Sequence, residues 1–272
     1  MRMTQQNGLK DQVRRASSWR DHQRLQFEVI HNRDMTLFKS LLATYRELIA
    51  EESTPLLRWA YANCTSEIVE HSIGSLSPYA IKDGDYLTEE QVINLHKQLI
   101  KEFPNQVLGY LGLARAYRMG FFDLELLPYE KIISDKEQTI EVNGRKQKVR
   151  RIHSTNPEQF RRYRQYRERI LQIEPQNPFV YYWDASFPKK GSDFNESFEL
   201  GVRAYQLGMN QLLPIDCLAL IVYTAWRANR HEEAEKYAKE LRRWAALAPN
   251  SAYVRVARER WQMCPLIKNI PR

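Results

Sequence analysis

The fold is decided by the stretch PNQVLGYLGLARAY, residues 104–117. Its proline stops the preceding helix, because proline lacks an amide hydrogen and biases the residue before it away from helical dihedrals. Tyr110, Leu113, Ala114 and Tyr117 then follow at steps of three, one and three, which places them on one face of a helix. The stretch therefore predicts a helix that begins after a proline and packs its apolar face against neighbouring helices.

The same pattern, a proline after an amphipathic segment, recurs along the chain. Pro104, Pro175 and Pro249 each follow an amphipathic segment and are followed closely by Asn. Pro175 and Pro214 are 39 residues apart, and Pro214 and Pro249 are 35 apart. This pattern resembles the tetratricopeptide repeat (TPR), a helix pair of about 34 residues in which a proline closes the second helix. The resemblance covers roughly residues 89–262.

The clearest helix pair is ALIVYTAWRANRHEEAEKYAKEL, residues 219–241. It is similar to a TPR unit, with one helix, a short turn at Asn229 and Arg230, and a second helix. His231 to Ala234 match the opening of the second helix in that family. We therefore expect two helices joined by a tight turn here.

An insertion separates the first two of these prolines, which lie 71 residues apart, about twice the repeat length. We place it at about 121–155, between helices of roughly 106–118 and 156–173. It contains QTIEVNGRKQKV, residues 138–149, in which Asn-Gly joins two alternating arms. Because Asn-Gly favours a two-residue hairpin turn, we expect one exposed β-hairpin.

The N-terminal third is predicted to be helical without matching the repeat. Residues 35–51 have an apolar stripe of helical period, residues 54–71 begin with Thr-Pro, and residues 88–103 begin with a capping box. Each of these patterns is a local helix signal. We therefore expect three further helices before the repeats.

The resemblance implies an all-α fold, a right-handed superhelix of TPR-like antiparallel helix pairs with one inserted β-hairpin. The expected organisation is a basic arm with a first helix at 1–34, N-terminal helices at 35–103 and TPR-like pairs at 104–262. The insertion at about 121–155 lies within those pairs, and a tail occupies 263–272. A single helix pair does not bury its apolar side alone, so stacked neighbours form the core.

Composition fits a globular chain. Of its 272 residues 43% are hydrophobic, and Gly and Pro are sparse at 10 and 12. No apolar run approaches the ~18 residues of a membrane span, and the polar N-terminus has no signal-peptide core. The three cysteines lack metal or disulfide spacing, so we expect reduced thiols. These features predict a cytoplasmic protein with no membrane partner.

A groove lined mainly by the first helix of each pair is implied by the TPR resemblance. Arginine beside aromatic residues suits an acidic or C-terminal peptide, because guanidinium groups form paired hydrogen bonds with carboxylates. The alternative is that the arginines are solvated and that Trp183 and Trp226 belong to the core, which we favour for the tryptophans. The predicted partner-binding residues are Arg115, Arg118, Tyr182, Tyr223 and Arg227.

Positive charge is concentrated between positions 145 and 169, where ten Lys or Arg stand against two Glu. That excess equals the formal net charge of the whole chain, +8. Cations interleaved with aromatic residues favour binding to nucleic acid. The pattern is also that of a helix with one wet face, or of a surface for an acidic partner such as another copy. The predicted basic patch is Arg145, Lys146, Lys148, Arg150, Arg151, Arg161, Arg162 and Arg164.

No motif for phosphate cradling, dinucleotide binding, serine hydrolysis or zinc hydrolysis occurs. Glu67 and His71 share a helix face, but with no second matching helix they indicate a surface salt bridge. We therefore predict no cofactor and a non-catalytic module for protein–protein interaction. The alternatives are a nucleic-acid-associated protein using residues 145–169, and an enzyme whose site is assembled from distant residues.

Overall fold

The structure is a computed structural model that describes residues 2–31, 35–71, 87–119, 137–142, 145–150, 157–186, 194–249 and 251–270. Within those ranges the chain forms helices and two short strands. The N-terminal helices are α1 (Arg2–Arg15), α2 (Trp19–His31), α3 (Met35–Glu51), α4 (Pro55–His71), α5 (Glu89–Glu102) and α6 (Val107–Met119). The strands β1 (Glu137–Val142) and β2 (Arg145–Arg150) follow. The remaining helices are α7 (Pro157–Ile173), α8 (Pro178–Ala185), α9 (Phe194–Ala204), α10 (Asn210–Leu212), α11 (Pro214–Arg227), α12 (His231–Leu247), α13 (Ala252–Arg260) and α14 (Pro265–Lys268), with a π-helical turn at Tyr205–Met209.

Local signals placed most of these helices correctly. The predicted helices at 106–118 and 156–173 are α6 and α7, and the predicted pair across Asn229 is α11 and α12. Asn229 itself has a φ of 60°, the left-handed conformation that commonly ends a helix. The predicted start of α5 is also confirmed, because the Thr88 side chain accepts from the Gln91 amide and the Gln91 side chain accepts from the Thr88 amide.

Neighbouring helices pack in sequence order. α5 packs on α6, α6 on α7, α8 on α9, and α11 on both α9 and α12. The predicted core position of Trp183 is confirmed, since it is 1% exposed. No helix in the described part of the chain is long and apolar enough to cross a bilayer.

Helix α2 connects the two ends of the packed body. It contacts α3 and α4 on one side and α10 and α13 on the other. The Trp19 ring, at its first residue, lies 6.3 Å from the ring of Trp59 on α4 and 5.6 Å from that of Phe179 on α8. The Arg20 guanidinium pairs with Glu174, at the end of α7. One face of the stacked helices is therefore covered, at least at these positions, by a helix of the same chain.

The predicted fold class needs a correction. All-α is right for the packed body, since helices make up all of its described layers. The inserted β-hairpin is not part of that all-α fold: β1 and β2 pair with each other, and neither contacts a described helix extensively. A two-stranded ladder is marginal in water unless an apolar face packs on another element, and these strands offer only Ile140, Val142 and Val149 as large apolar residues. The fold is all-α in place of the predicted superhelix with a hairpin, and the rest of 121–155 lies outside the described residues.

Candidate functional site

A partly exposed group of aromatic rings lies where α9 begins and α11 ends. The Tyr223 ring stands 4.3 Å from the ring of Trp261, 6.3 Å from that of Trp226 and 6.2 Å from that of Phe194. The Arg227 guanidinium lies 4.4 Å from the Phe194 ring centre, and Arg227 Nη1 donates to the Tyr223 hydroxyl at 3.0 Å. We name these five residues the aromatic surface cluster.

The sequence of α11 explains the geometry of the cluster. Tyr223 is three residues before Trp226 and four before Arg227, so all three side chains emerge on neighbouring turns of one helix face. Arg227 stands in the last turn, where the partial negative charge of the helix end favours a cation. The turn at Asn229 then ends the helix and leaves this face at the surface.

Arg227 is the charged member of the cluster. Its side chain is exposed, whereas the four rings are half-buried. It forms no ion pair with any described residue, and its contacts there are the Tyr223 hydroxyl and two ring faces. A guanidinium held on aromatic rings has a fixed orientation and free N–H groups, which is the geometry that recognises carboxylates.

A second arginine–aromatic pair lies at the ends of α6 and α8. The Arg118 guanidinium stands 5.5 Å from the ring centre of Tyr182, and Arg118 Nε donates to Ser186 Oγ at 3.3 Å. Arg118 is half-buried, and Tyr182 is 2% exposed. The structure therefore brings two of the predicted residues together here and another two, Tyr223 and Arg227, in the aromatic surface cluster.

Arg115, the fifth predicted residue, lies inside the molecule. It is 3% exposed, and its Nη1 lies 2.7 Å from Glu67 Oε1 and 2.9 Å from Asn63 Oδ1. Glu67 also accepts from Gln23 on α2 and from the Tyr253 hydroxyl. Partner binding by Arg115 stays a prediction, but the side chain that was expected to line an open groove is a buried ion-pair partner.

Glu67 corrects the interpretation of its helix. The predicted surface salt bridge between Glu67 and His71 is wrong, because Glu67 is fully buried at 0% exposure. The i, i+4 spacing showed that the two residues share a helix face, but it did not show that α2 and α13 cover that face. No cluster of three or more potential metal ligands is present among the described residues.

The predicted basic patch is only partly described. Arg145, Lys146, Lys148 and Arg150 lie on β2, for which the backbone alone is described, and Arg151 lies outside the described residues. On α7, Arg161 and Arg164 are exposed, and Arg162 donates to the Tyr117 hydroxyl at 2.8 Å. Further along α7, Arg167 pairs with Asp184, which raises the pKa of the Arg167 guanidinium.

Trp226 was favoured for the core, but it is half-buried and belongs to this cluster. Phe194 and Trp261 were not predicted as site residues. Both are far from Tyr223 in sequence, so no local spacing relates them to it. Only the packing of α9 on α11, and of α11 on α13, brings them together.

The fold and this site define an all-α protein with an arginine-bearing aromatic surface. No protein-family model, curated protein or solved structure matches the chain.

Proposed function

We propose that this protein is a non-catalytic interaction module that binds an acidic peptide segment of a partner protein across the aromatic surface cluster. The observation that carries the proposal is Arg227: an exposed guanidinium, oriented by two rings and a hydroxyl, without an ion pair among the described residues. Tyr, Trp and Arg are also the residues most enriched where protein interfaces gain their affinity.

The resemblance to TPR proteins supports the same function, because the groove of that family holds peptides. Arg118, at the end of α6, is the second contact that we assign to the bound segment. Arg115 and Tyr182 are not assigned direct contacts, since both are buried.

The test is affinity purification from the native cell after nuclease treatment, with wild-type protein and Arg227→Glu compared. We expect the charge reversal to weaken capture of the wild-type partner at least about tenfold, equivalent to about 1.4 kcal/mol, because like charges then face each other. A synthetic peptide from the captured protein should show the same loss of affinity for Arg227→Glu, and its binding to the wild-type protein should weaken with added salt.

Arg243→Glu is the matched control. Arg243 is exposed on α12, away from the cluster, so its reversal changes the net charge equally without touching the site. Equal capture by wild type and Arg227→Glu, with circular dichroism unchanged, would reject the proposal. Arg118→Glu tests the second contact in the same assay.

The alternative function is association with nucleic acid through residues 145–169. Its support is the charge concentration together with exposed Arg161 and Arg164 on α7. This alternative predicts RNA or DNA binding that falls steeply with salt and is lost in the double variant Arg161→Glu, Arg164→Glu. If neither RNA nor DNA binds at low salt, this alternative function is wrong.

A further inference from the structure

An exposed apolar side chain lies beside the aromatic surface cluster. Among the described residues two large apolar side chains are exposed, Leu247 at 76% and Met263 at 75%. Met263 follows Trp261, a member of the cluster, by two residues, and the Cys264 amide donates to the Trp261 carbonyl at 2.9 Å. Residues 261–264 therefore form a turn, which keeps the Met263 Cα within about 7 Å of the Trp261 Cα.

The chemistry of Met263 suits contact with a side chain of a partner. Removing a methionine side chain from water is favourable, and in the free protein Met263 gains little from this because most of it is exposed. Methionine is unbranched and polarizable, so it adapts to varied surfaces and packs well beside aromatic rings. The half-buried rings of Tyr223 and Trp261 extend the same apolar surface. This part of the protein therefore favours an apolar side chain of the bound segment.

The charge around this turn favours an acidic partner. Residues 260–272 contain no Asp or Glu, and their cations are Arg260, Lys268 and Arg272. Arg260 and Lys268 are exposed. Glu259, the nearest acidic residue in the sequence, lies 3.9 Å from the guanidinium of Arg255. An acidic segment is therefore attracted on both sides of its contact with the cluster, whereas a basic segment is repelled.

The distance between the cationic and the apolar contacts limits the sequence of the bound segment. The Tyr223 ring centre lies 4.3 Å from that of Trp261 and 5.8 Å from the guanidinium carbon of Arg227. The Trp261 ring and the Arg227 guanidinium are therefore at most about 10 Å apart. An extended chain advances about 3.3–3.6 Å per residue, so a bound segment spans this distance in about three residues.

We infer that the acidic segment bound at the aromatic surface cluster carries an apolar residue within three positions of its acidic residue. The acidic side chain binds Arg227, and the apolar side chain packs on Trp261 and Met263. This inference rests on the proposed function and names the class of peptide that the cluster selects. A segment with acidic residues alone would bind Arg227 and leave the apolar surface in water.

The test selects a phage-displayed library of random dodecapeptides on the full-length protein and sequences the library before and after selection. We expect enrichment of peptides in which Asp or Glu lies within three positions of Leu, Met, Phe or Trp, relative to peptides that have the same residues further apart. One enriched peptide is then synthesised together with a rearranged version, in which the same residues place the acidic and apolar side chains at opposite ends. The rearranged peptide should bind at least about fivefold more weakly.

Met263→Ser tests the apolar contact on the protein. It should weaken binding of the enriched peptide about five- to tenfold, because part of a methionine side chain is no longer buried in the complex. Leu247→Ser is the matched control, since Leu247 is equally exposed but lies at the far end of α12, a helix of 17 residues that begins four residues after Arg227. This control should bind the peptide like the wild type.

The outcomes separate this inference from the proposed function. If the enriched acidic peptides lack a nearby apolar residue, or if Met263→Ser binds like the wild type while Arg227→Glu loses the peptide, the inference is overturned and the proposed function stands. If no acidic peptide is enriched, or if Arg227→Glu binds the enriched peptide as well as the wild type does, both are overturned.

Discussion

His96 is an ionisable residue that lies entirely inside the protein. It is 0% exposed on α5, and both of its ring nitrogens lack a hydrogen-bond partner among the described residues. Burial, and next the nearby Arg115 charge, lower the pKa of His96 to about 3. The folded protein therefore holds this imidazole ring in its neutral form throughout the physiological range.

This burial predicts a loss of stability in acid. Because the folded pKa of His96 is about 3 and the ordinary value is 6.5, the unfolded chain binds the proton first as the pH falls. The free energy of unfolding should therefore decrease between about pH 6.5 and pH 3, by a few kcal/mol for this group. His22, whose pKa burial lowers to about 4, acts in the same direction. Urea unfolding at pH 7 and pH 4 measures the effect.

The variant His96→Leu isolates the contribution of one ring. Its loss of stability between pH 7 and pH 4 should be smaller than that of the wild type, because no proton is taken up at this position on unfolding. His231→Leu, at an exposed position on α12, serves as the control. Identical pH dependence of wild type and His96→Leu would contradict the assignment.

For individual residues, the sequence predicted the burial of apolar side chains better than the burial of charged side chains. The core position of Trp183 followed from helical spacing, because a large apolar residue is buried on whichever face meets a neighbour. The burial of Glu67 and Arg115 did not follow, since charged residues normally mark the wet face. Their mutual ion pair joins α4 to α6, and one helix pattern contains no information about the other.

Two glycines allow α5 and α6 to approach closely. A Cβ atom at Gly109 would lie 2.7 Å from Ile100 Cγ1, 2.8 Å from the His96 carbonyl oxygen and 2.9 Å from the Ile100 amide nitrogen. Two of these neighbours are backbone atoms, which do not move aside by a change of rotamer. A Cβ at Gly112 would overlap the His96 ring. The interface therefore depends on the absence of side chains at both positions.

Gly109→Ala should consequently destabilise the protein by about 1–3 kcal/mol, the usual cost of overpacking. Chemical denaturation gives the difference. Gly8→Ala is the matched control, because a Cβ at Gly8 on α1 would meet no atom within 4 Å. That change should be neutral or stabilising by up to about 1 kcal/mol, since alanine favours a helix over glycine. Equal stability of the two variants would rule out the close approach as a constraint.

Most helices could be predicted because their signals are local. The capping box at Thr88, the proline at the start of α11 and the turn at Asn229 lie within a few residues of the helix ends they define. The Asn-Gly signal is local too, and it does not show whether the paired strands belong to the packed fold, which is all-α. A first helix was predicted within residues 1–34, but the polar composition of that arm gave no sign that α2 would pack against α4, α10 and α13.

The Glu67 side chain connects four helices of the packed body. Its carboxylate, on α4, accepts from Gln23 on α2 at 2.6 Å and from the Tyr253 hydroxyl on α13 at 3.1 Å, and it pairs with Arg115 on α6 at 2.7 Å. Four helices that are far apart in sequence therefore share one buried charge. The burial of Glu67 could not be judged from the sequence for the same reason, because α2 and α13, which supply Gln23 and Tyr253, come from other parts of the chain.

Glu67→Gln should cost about 3–5 kcal/mol of stability, because it removes the carboxylate that pairs with the buried Arg115 guanidinium at 2.7 Å. The double variant Glu67→Met, Arg115→Met should recover part of that loss, since neither side chain of the pair then carries a charge. Glu259→Gln, which removes an exposed partner 3.9 Å from Arg255, should cost less than about 1 kcal/mol. A loss below 1 kcal/mol for Glu67→Gln in urea unfolding would show that the carboxylate is not needed to neutralise Arg115.

The position of α2 also determines when its contacts can form during synthesis of the chain. His31 leaves the ribosome long before its partner Ser251, 220 residues later, which at about 5–20 residues per second is a wait of roughly 10–45 s. During most of that interval Phe27 lacks two of its aromatic neighbours, Trp244 and Tyr253. Helix α2 is therefore made well before the helices that complete its surroundings, and the nascent protein must keep an apolar helix from wrong contacts until then.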